Sequence, residues 1–529
     1  MSNDPIHTEQ AFESVIEDAL LQRGYERGDN GKFDRELVFN SADVLVFLRN
    51  TQSRAWQELG KIHGPEVEKK FLFRLTRELD ARGMLDCLRN GVVDYGVRFQ
   101  LCHFAPVSSL NPETAALYAG NRLQVYRQLR YSKRHDNEVD VVLAVNGLPV
   151  LTMELKNQLT GQTAGKQGRK QYIQDRDPND LLFQFKKRAL VHFSVDTDEV
   201  WMTTRVAGKQ TVFLPFNQGH NKAAGNPPNP NGHRTAYLWE TIFARDSLLD
   251  LLGRFVHLER KEVKLDGKAK TKEALIFPRF HQLRAVRRIG QSVKQPGCGP
   301  GKNYLIQHSA GSGKSHTIAW LAHRLASLHD ANSKLIYDSV VIITDRLVLD
   351  QQLQDIVYQI EHKTGVVEKI DRDSQQLAEA LKTGKKIIVT TLQKFPFVME
   401  HVGLRDVWRA QSQVKVSDPS RTIVDLLDDR PLGGGMRHVA DVLRNYFEGT
   451  SRNDDELAGH AVMLGSGAVF KRLGYLLETL GIASPKLVEL CTKEMSTGIS
   501  LLDPSAKPTG AIVKRWGLRV NVTLVADIP

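Results

Sequence analysis

Apolar positions along the chain change period several times, and each change marks a different kind of element. Residues 8–24 repeat at helical spacing, with Phe12, Val15, Ile16 and Leu20 on one face and Gly24 as the stop. A second helical stretch runs from about Ala55 to Arg82, followed by mixed strand patterns from Val92 to Phe104. Val139–Val145 and Pro149–Leu155 are apolar, β-rich runs separated by Asn146-Gly147, a strong hairpin signal. The stretch 216–234 is dense in Asn, Gly and Pro, cannot supply a core strand, and predicts a long surface loop.

A Lys-rich stretch, Arg260–Lys272, separates a first domain from a second. From Phe277 short apolar strands alternate with helices: strand Tyr304–Gln307, helix Ser315–Leu328, strand Ser339–Thr344, helix Val348–Glu361, strand Lys386–Thr390. That alternation predicts a parallel sheet of the RecA or Rossmann kind. After about Phe397 amphipathic helices take over (Met436–Tyr446, Leu457–Leu464, Ala468–Thr479), ending in a β-rich tail, Ala511–Leu524. The expected fold class is α/β in three domains, 1–260, 261–398 and 399–529.

Bulk properties narrow the class. A chain of 529 residues exceeds a single core. The net charge of +11 favours a polyanionic partner, although a plain soluble basic protein fits the charge equally. Cys87, Cys102, Cys298 and Cys491 lie far apart without a C-x-x-C pair, which predicts reduced, buried thiols and argues against a zinc site. The N-terminus lacks the basic and apolar regions of a signal peptide, and no apolar run approaches a membrane span, so a cytoplasmic location with no membrane partner is expected.

Two motifs carry chemistry. Asp140 begins one strand of the hairpin, while Glu154 and Lys156 stand two residues apart on the next and share a face. The turn brings two carboxylates and an ammonium together. Carboxylates suit Mg²⁺, and a lysine can hold or polarise the attacking water in phosphodiester cleavage. E-x-K at alternate strand positions is also a common exposed salt-bridge pattern. The apolar runs around this one argue for function, because buried charge needs a reason.

The second motif, Ala310-Gly-Ser-Gly313-Lys314-Ser315, has the composition of a P-loop. Gly311, Ser312 and Gly313 would cradle phosphates, Lys314 would reach the β/γ-phosphates of ATP, and the Ser315 hydroxyl would hold Mg²⁺. His308 replaces the first glycine of the usual pattern.

These residues resemble the N-terminal nuclease of type I restriction enzyme R subunits, of the PD-(D/E)xK class. The likeness rests on Thr8-Glu-Gln-Ala-Phe-Glu13, Glu138-Val-Asp140, Glu154-Leu-Lys156-Asn157, Gln171-Tyr172 with Asp175-Arg176, and Met202-Thr203-Thr204-Arg205. The resemblance implies Asp140, Glu154 and Lys156 as catalytic residues, the two carboxylates as metal ligands, and Gln171-Tyr172 as accessory positions near DNA. Glu13 is a weaker candidate, an exposed helix glutamate being usually only solvated. Farther on, Phe280-His281-Gln282 resembles the glutamine motif of superfamily 2 motors, in which Gln282 would read adenine; an ordinary polar residue at a helix start fits as well. Thr344-Asp345-Arg346 and Thr390-Thr391-Leu392-Gln393 resemble the DNA-backbone motifs of the same motor.

The pattern then breaks. The Walker B carboxylates expected soon after Phe397 do not follow. Asp454-Asp455-Glu456 lacks a preceding apolar strand and predicts a loop and helix start, and Thr422-Ile-Val-Asp425 reads as a capped helix after Asp418-Pro419. The segment from about 400 to 529 resembles instead the C-terminal domain of AbiEi-type antitoxin regulators. Val416-Ser-Asp-Pro-Ser-Arg421, Gly467-Ala-Val-Phe-Lys471-Arg472, Leu502-Asp503-Pro504 and Arg515-Trp516 carry that likeness. The expectation is therefore a PD-(D/E)xK nuclease domain, an incomplete RecA-like lobe and a mainly helical C-terminal domain. Such a protein would be an ATP-binding, Mg²⁺-dependent DNA endonuclease acting with methylation and specificity subunits. The alternatives are a remnant that binds DNA and nucleotide without translocation, or a toxin–antitoxin-type regulatory binding protein.

Overall fold

The structure, a computed structural model, describes residues 9–106, 111–157, 161–221, 223–265, 268–295, 302–330, 332–344, 347–360, 367–370, 374–391, 419–428 and 435–524. The chain divides into two compact units. One comprises Met1–Ser292, Ile306–Trp320 and Ser327–Leu335; the other comprises Val293–Leu305, Leu321–Ala326 and Ile336–Pro529. Both combine helices with sheet, as the α/β expectation required.

The first unit opens with helix α1 (Glu9–Leu21) and strand β1 (Tyr25–Arg27). The helical stretch expected from Ala55 to Arg82 is two helices, Ser53–His63 and Val67–Arg82, because Gly64-Pro65 interrupts it. Strands β2 (Val92–Asp94) and β3 (Val97–Phe99) form a small hairpin. Then come β4 (Leu123–Arg130), β5 (Glu138–Val145), β6 (Leu148–Leu155), β7 (Val191–Val195), β8 (Val200–Thr203) and β9 (Leu214–Pro215). Together with β1 they make a seven-stranded sheet ordered β1-β4-β5-β6-β7-β8-β9. Pairing is parallel at β1/β4 and β6/β7 and antiparallel at the other four junctions.

Every residue of β6 is buried. Its near-continuous apolar run reads as a strand covered on both faces, as central strands are. The hairpin joining β5 to β6 turns at Asn146 (φ 52°) and Gly147 (φ 82°), both left-handed as the tightest hairpin turn requires. Asn146 is buried with its amide satisfied: Nδ2 donates to Leu101 O (2.9 Å) and Asn121 Oδ1 (3.1 Å), and Oδ1 accepts from Arg122 N (2.7 Å). A Cβ on Gly147 would lie 2.5 Å from Asn40 O, so only glycine fits.

The Lys-rich stretch expected to separate the first two domains lies within a two-stranded ribbon, β10 (His257–Leu265) paired antiparallel with β11 (Lys268–Ile276) over nine register positions. Asp266-Gly267 between the strands was a readable turn signal.

In the second unit β12 (Val340–Thr344), β13 (Val367–Lys369) and β14 (Ile387–Thr391) form a parallel sheet ordered β12-β14-β13. Helices Leu347–Ile360 and Ser374–Lys382 connect its strands. The strand expected at Tyr304–Gln307 is absent from this described segment, and Leu305 is 95% exposed. Asp345, Arg346 and the run from Leu392 lie outside the described residues. Farther on, helices Pro419–Asp428, Met436–Glu448, Asp454–Leu464, Gly467–Thr479 and Pro485–Glu494 precede β15 (Ser500–Leu501), β16 (Ala511–Val513) and β17 (Leu518–Val520). A core of Ile423, Val439, Leu443, Leu473, Leu477 and Trp516 joins these helices to the short terminal sheet.

Cys87, Cys102 and Cys491 are free and buried, as expected; Cys298 lies outside the described residues. No helix among the described residues is long and apolar enough to cross a membrane.

Gly147→Val should disrupt the turn that sets the β5–β6 register, costing about 1–3 kcal/mol through strain and the Asn40 clash. A thermal melt of the full-length variant measures this; an unchanged midpoint would show that the turn is not demanding.

Candidate active site

The antiparallel pairing of β5 and β6 opens beyond Val141–Met153, leaving Asp140 opposite the end of β6. There Asp140 Oδ2 accepts a hydrogen bond from the Leu155 backbone N (2.7 Å). Lys156, one residue past β6, places Nζ 4.0 Å from Asp140 Oδ2 and donates to Leu155 O (2.6 Å) and Glu9 Oε1 (3.0 Å). Its backbone N donates to Val195 O (2.8 Å), which continues the β6/β7 ladder. Asp140 and Lys156 therefore meet as their spacing predicted.

Glu154 is fully buried. Its Oε1 accepts from Arg176 Nε (2.8 Å) and lies 2.6 Å from a second guanidinium nitrogen, which donates to Glu138 O (2.6 Å). Its Oε2 is buried without any hydrogen-bond partner. Burial, reinforced by the neighbouring Asp140 charge, pushes the Glu154 carboxyl up to about 8, against the opposing pull of Arg176 and Lys156. An orphaned, desolvated oxygen beside a second carboxylate fits one side of a divalent-cation site.

Among the described residues no group of three or more His, Cys, Asp or Glu side chains is arranged to hold an ion. Two carboxylates are nonetheless what a Mg²⁺ site commonly takes from protein, the remaining ligands being water and substrate phosphate. Mg²⁺ would thus sit on Asp140 and Glu154.

Helix α1 reverses one expectation. Val15, placed on the apolar face by periodicity, is 45% exposed, while Glu13 is 1% exposed. The partners explain the rotation. Glu13 Oε2 accepts from Arg127 Nε and a second Arg127 nitrogen (both 3.1 Å), and Glu13 Oε1 accepts from Gln128 Nε2. Gln128 Nε2 also lies 3.4 Å from Asp140 Oδ1, so Glu13 is tied to the site and is not a solvated helix residue. Burial raises its carboxyl, with Asp140 contributing. Gln128 has a left-handed φ of 45°, and the β4–β5 register skips it between Arg127/Val141 and Leu129/Val139. Asp140 is skipped with it, so the register stays continuous and Gln128 stands opposite Asp140, which brings its amide to both acids.

Arg176 and Gln128 escaped selection from sequence alone. Asp175-Arg176 belongs to the resembling run, but nothing local marks Arg176 as the partner of a glutamate 22 residues earlier. Tyr172, expected near DNA, is instead a core residue: its hydroxyl shares a 2.8 Å hydrogen bond with Thr152 Oγ1. Thr152 in turn meets His192 Nδ1 at 2.9 Å, and burial pushes that imidazole down to about 3.

The P-loop residues also come together. Gly311 (φ 71°) and Gly313 (φ 82°) hold left-handed backbone immediately before the helix Lys314–Ala326. Lys314 Nζ donates to His308 O (3.3 Å) and Ser309 O (3.1 Å), and therefore lies over the loop. Ser312 is buried, with Oγ donating to Ser309 O (2.7 Å); Ser315 is half-buried in the first helical turn. Backbone N–H groups at a helix start, two flexible glycines and a lysine over the loop fit a nucleoside triphosphate.

Gln282 takes a different part from the one its motif suggested. Its Oε1 accepts from Arg279 N (2.8 Å) and its Nε2 donates to Gly313 O (2.8 Å). A Cβ on Gly313 would come within 2.5 Å of that amide. The amide braces the loop from beneath instead of facing a base.

Because Glu154 has a higher pKa folded than its ordinary 4.5, its contribution to stability is fully present below about pH 4.5 and fades as pH rises through about 8. Metal-free melts at pH 5 to 9 should show the wild type losing ground to Glu154→Gln up to about pH 8 and no further above it. Parallel curves for the two proteins would contradict this.

Residues 7–211 match the family described as type I restriction enzyme R protein N terminus, and residues 281–445 match the SWI2/SNF2 ATPase family. The second match extends past residue 398, where the motor resemblance was expected to stop. A putative type I restriction enzyme endonuclease subunit of Methanocaldococcus jannaschii is 24% identical over 413 residues, covering 72% of this chain and 37% of that protein. One from Staphylococcus aureus is 22% identical over 391 residues (73% and 37%), and the HindI endonuclease subunit of Haemophilus influenzae is 25% identical over 344 residues (62% and 31%). The alignments thus span about a third of the length of these relatives. Over much of its length the chain is similar to the endonuclease subunits of type I restriction enzymes.

Proposed function

We propose that this chain is a DNA endonuclease that cleaves phosphodiester bonds with Mg²⁺, binds ATP at its P-loop, and acts with methylation and specificity subunits. The observation that carries this reading is the juxtaposition of Asp140, the orphaned Glu154 oxygen and Lys156 at the end of β6. A bound divalent cation would supply charge neutralisation at the phosphate and a more acidic water. Asp140 and Glu154 would hold it. Lys156 would orient the attacking water through its ammonium, with Glu9 and the Leu155 carbonyl fixing where that ammonium stands. Gln128 and Arg176 would keep the two carboxylates in place. The printed names of the relatives describe endonuclease subunits, which supports the reaction class.

A second reading keeps the nuclease and the nucleotide site without an ATP-driven motor. The acidic run Asp454-Asp455-Glu456 favours it, for this run starts a helix capped by Asn453. Asp454 is held there by Arg452 (2.9 Å) and accepts from Ser484 Oγ (2.5 Å), a surface cap and not a hydrolytic carboxylate. Thr422–Asp425 likewise lies inside the helix Pro419–Asp428.

Asp140→Ala and Lys156→Ala should each reduce Mg²⁺-dependent nicking of plasmid DNA by about 10²-fold or more; undiminished cleavage by both purified variants would sink the assignment. Lys314→Ala should abolish ATP binding measured by fluorescent-nucleotide titration. DNA-stimulated ATP hydrolysis at motor-like rates, lost in Lys314→Ala, would rule out the second reading.

A further inference from the structure

The sheet face that bears Glu154 continues sideways through its register partners, Ser194 on β7 and Trp201 on β8. Side chains paired in this way stand on the same face. A wide, π-helical turn, Ala164–Gly168, lies on that row and leads into the helix Arg169–Gln174. Ser194 Oγ donates to Ala164 O (2.8 Å), and the Arg169 guanidinium lies over the Trp201 ring, 4.4 Å from its centre. Gly168 closes the approach: a Cβ there would overlap Ser194 Oγ and stand 3.3 Å from Lys156 Cγ. The turn is therefore seated against the proposed site itself, with no room for a side chain between them.

Charge on this turn is divided between its two sides. The carboxylates that touch it face inward and are taken by backbone N–H groups. Asp196 is fully buried and accepts from Ala164 N (2.7 Å), Asp198 N and Glu199 N (both 2.8 Å), while Glu199 Oε1 accepts from Gly165 N (2.9 Å). Arg169 also turns back, its Nε donating to Gly165 O (2.6 Å). Lys166 and Lys170 stand on either side of buried Gly168 in sequence and are both exposed. Neither pairs with a carboxylate among the described residues. A lone exposed lysine is ordinary. Two without acidic partners, on a turn clamped to the sheet and packed on Lys156, place fixed positive charge beside two carboxylates that would by themselves repel a polyanion. Lys156 cannot do this alone, since its ammonium is engaged by Glu9 and the Leu155 carbonyl.

We infer that Lys166 and Lys170 bind backbone phosphates of duplex DNA next to the bond to be cut, seating the strand over Asp140, Glu154 and Lys156. The inference rests on the endonuclease reading and adds to it a hold on the substrate outside the metal site. Ammonium groups meet phosphates as point charges and read no bases, so this contact positions DNA without selecting its sequence.

The test uses the full chain and a fluorescently labelled 30-base-pair duplex in EDTA, with anisotropy read across a salt series. Lys166→Ala combined with Lys170→Ala should weaken binding at least about tenfold and reduce the log–log salt slope by about 1.8, near 0.9 per lost phosphate contact. Both side chains are exposed, so the melting midpoint should not move, and Lys166→Arg with Lys170→Arg should restore affinity and slope. A control pair, Lys61→Ala with Lys69→Ala, removes the same charge from exposed positions on the helices Ser53–His63 and Val67–Arg82, which hold no part of the site. That pair should bind as the wild type does. Wild-type affinity and slope in the Lys166/Lys170 variant, or equal losses in the two double variants, would overturn the inference; Mg²⁺-dependent nicking by the wild type would then leave the endonuclease reading standing. A wild type that neither binds nor nicks the duplex would overturn both.

Discussion

A carboxylate has been drawn out of water at the end of a fully covered strand, and the architecture of the first unit follows from that. Glu154 ends a run of apolar residues sealed on both faces, so its charge must be met from within the protein or by a ligand. Arg176 meets one oxygen, while the other faces no donor. Asp140 approaches from the neighbouring strand, held by the Leu155 amide, and raises the cost of ionising Glu154 further. Two acids that resist being charged together are suited to a divalent cation, because its charge relieves both.

The surrounding elements serve to keep that arrangement rigid. The Asn146-Gly147 turn, together with the register shift at Leu143/Ala144, fixes which residues of β5 and β6 stand opposite each other, and a slip of one position would send Glu154 and Lys156 to the other face. Helix α1 contributes Glu13 to Gln128 and Glu9 to Lys156, giving one helix a hold on both sides of Asp140. Beneath β6, the Tyr172–Thr152–His192 chain satisfies buried polar atoms with a neutral imidazole, adding no further charge near the acids.

Much of this was legible in sequence because the proposed site is local: a hairpin and a period of two bring Asp140, Glu154 and Lys156 together. The P-loop was legible for the same reason, its phosphate-binding groups being consecutive. What sequence did not disclose were partners brought by distant segments. Glu13 looked solvated because its Arg127 and Gln128 partners lie more than a hundred residues away, and Val15 looked buried for the complementary reason. Arg176 and the bracing role of Gln282 depend likewise on contacts that no period predicts. The basic ribbon was not read as paired strands because lysine-rich strands lack the apolar alternation that identifies a half-buried sheet.

The central claim is that Asp140 and Glu154 together hold a divalent cation. Calorimetric titration of Mn²⁺ into the metal-free chain at pH 7, in two buffers of different ionisation enthalpy, tests it without requiring any cleavage. Site-specific binding should release a proton as Glu154 ionises, and both the binding and the proton release should be lost in Asp140→Asn. Equal binding by the wild type and Asp140→Asn, with no proton released in either, would contradict the account.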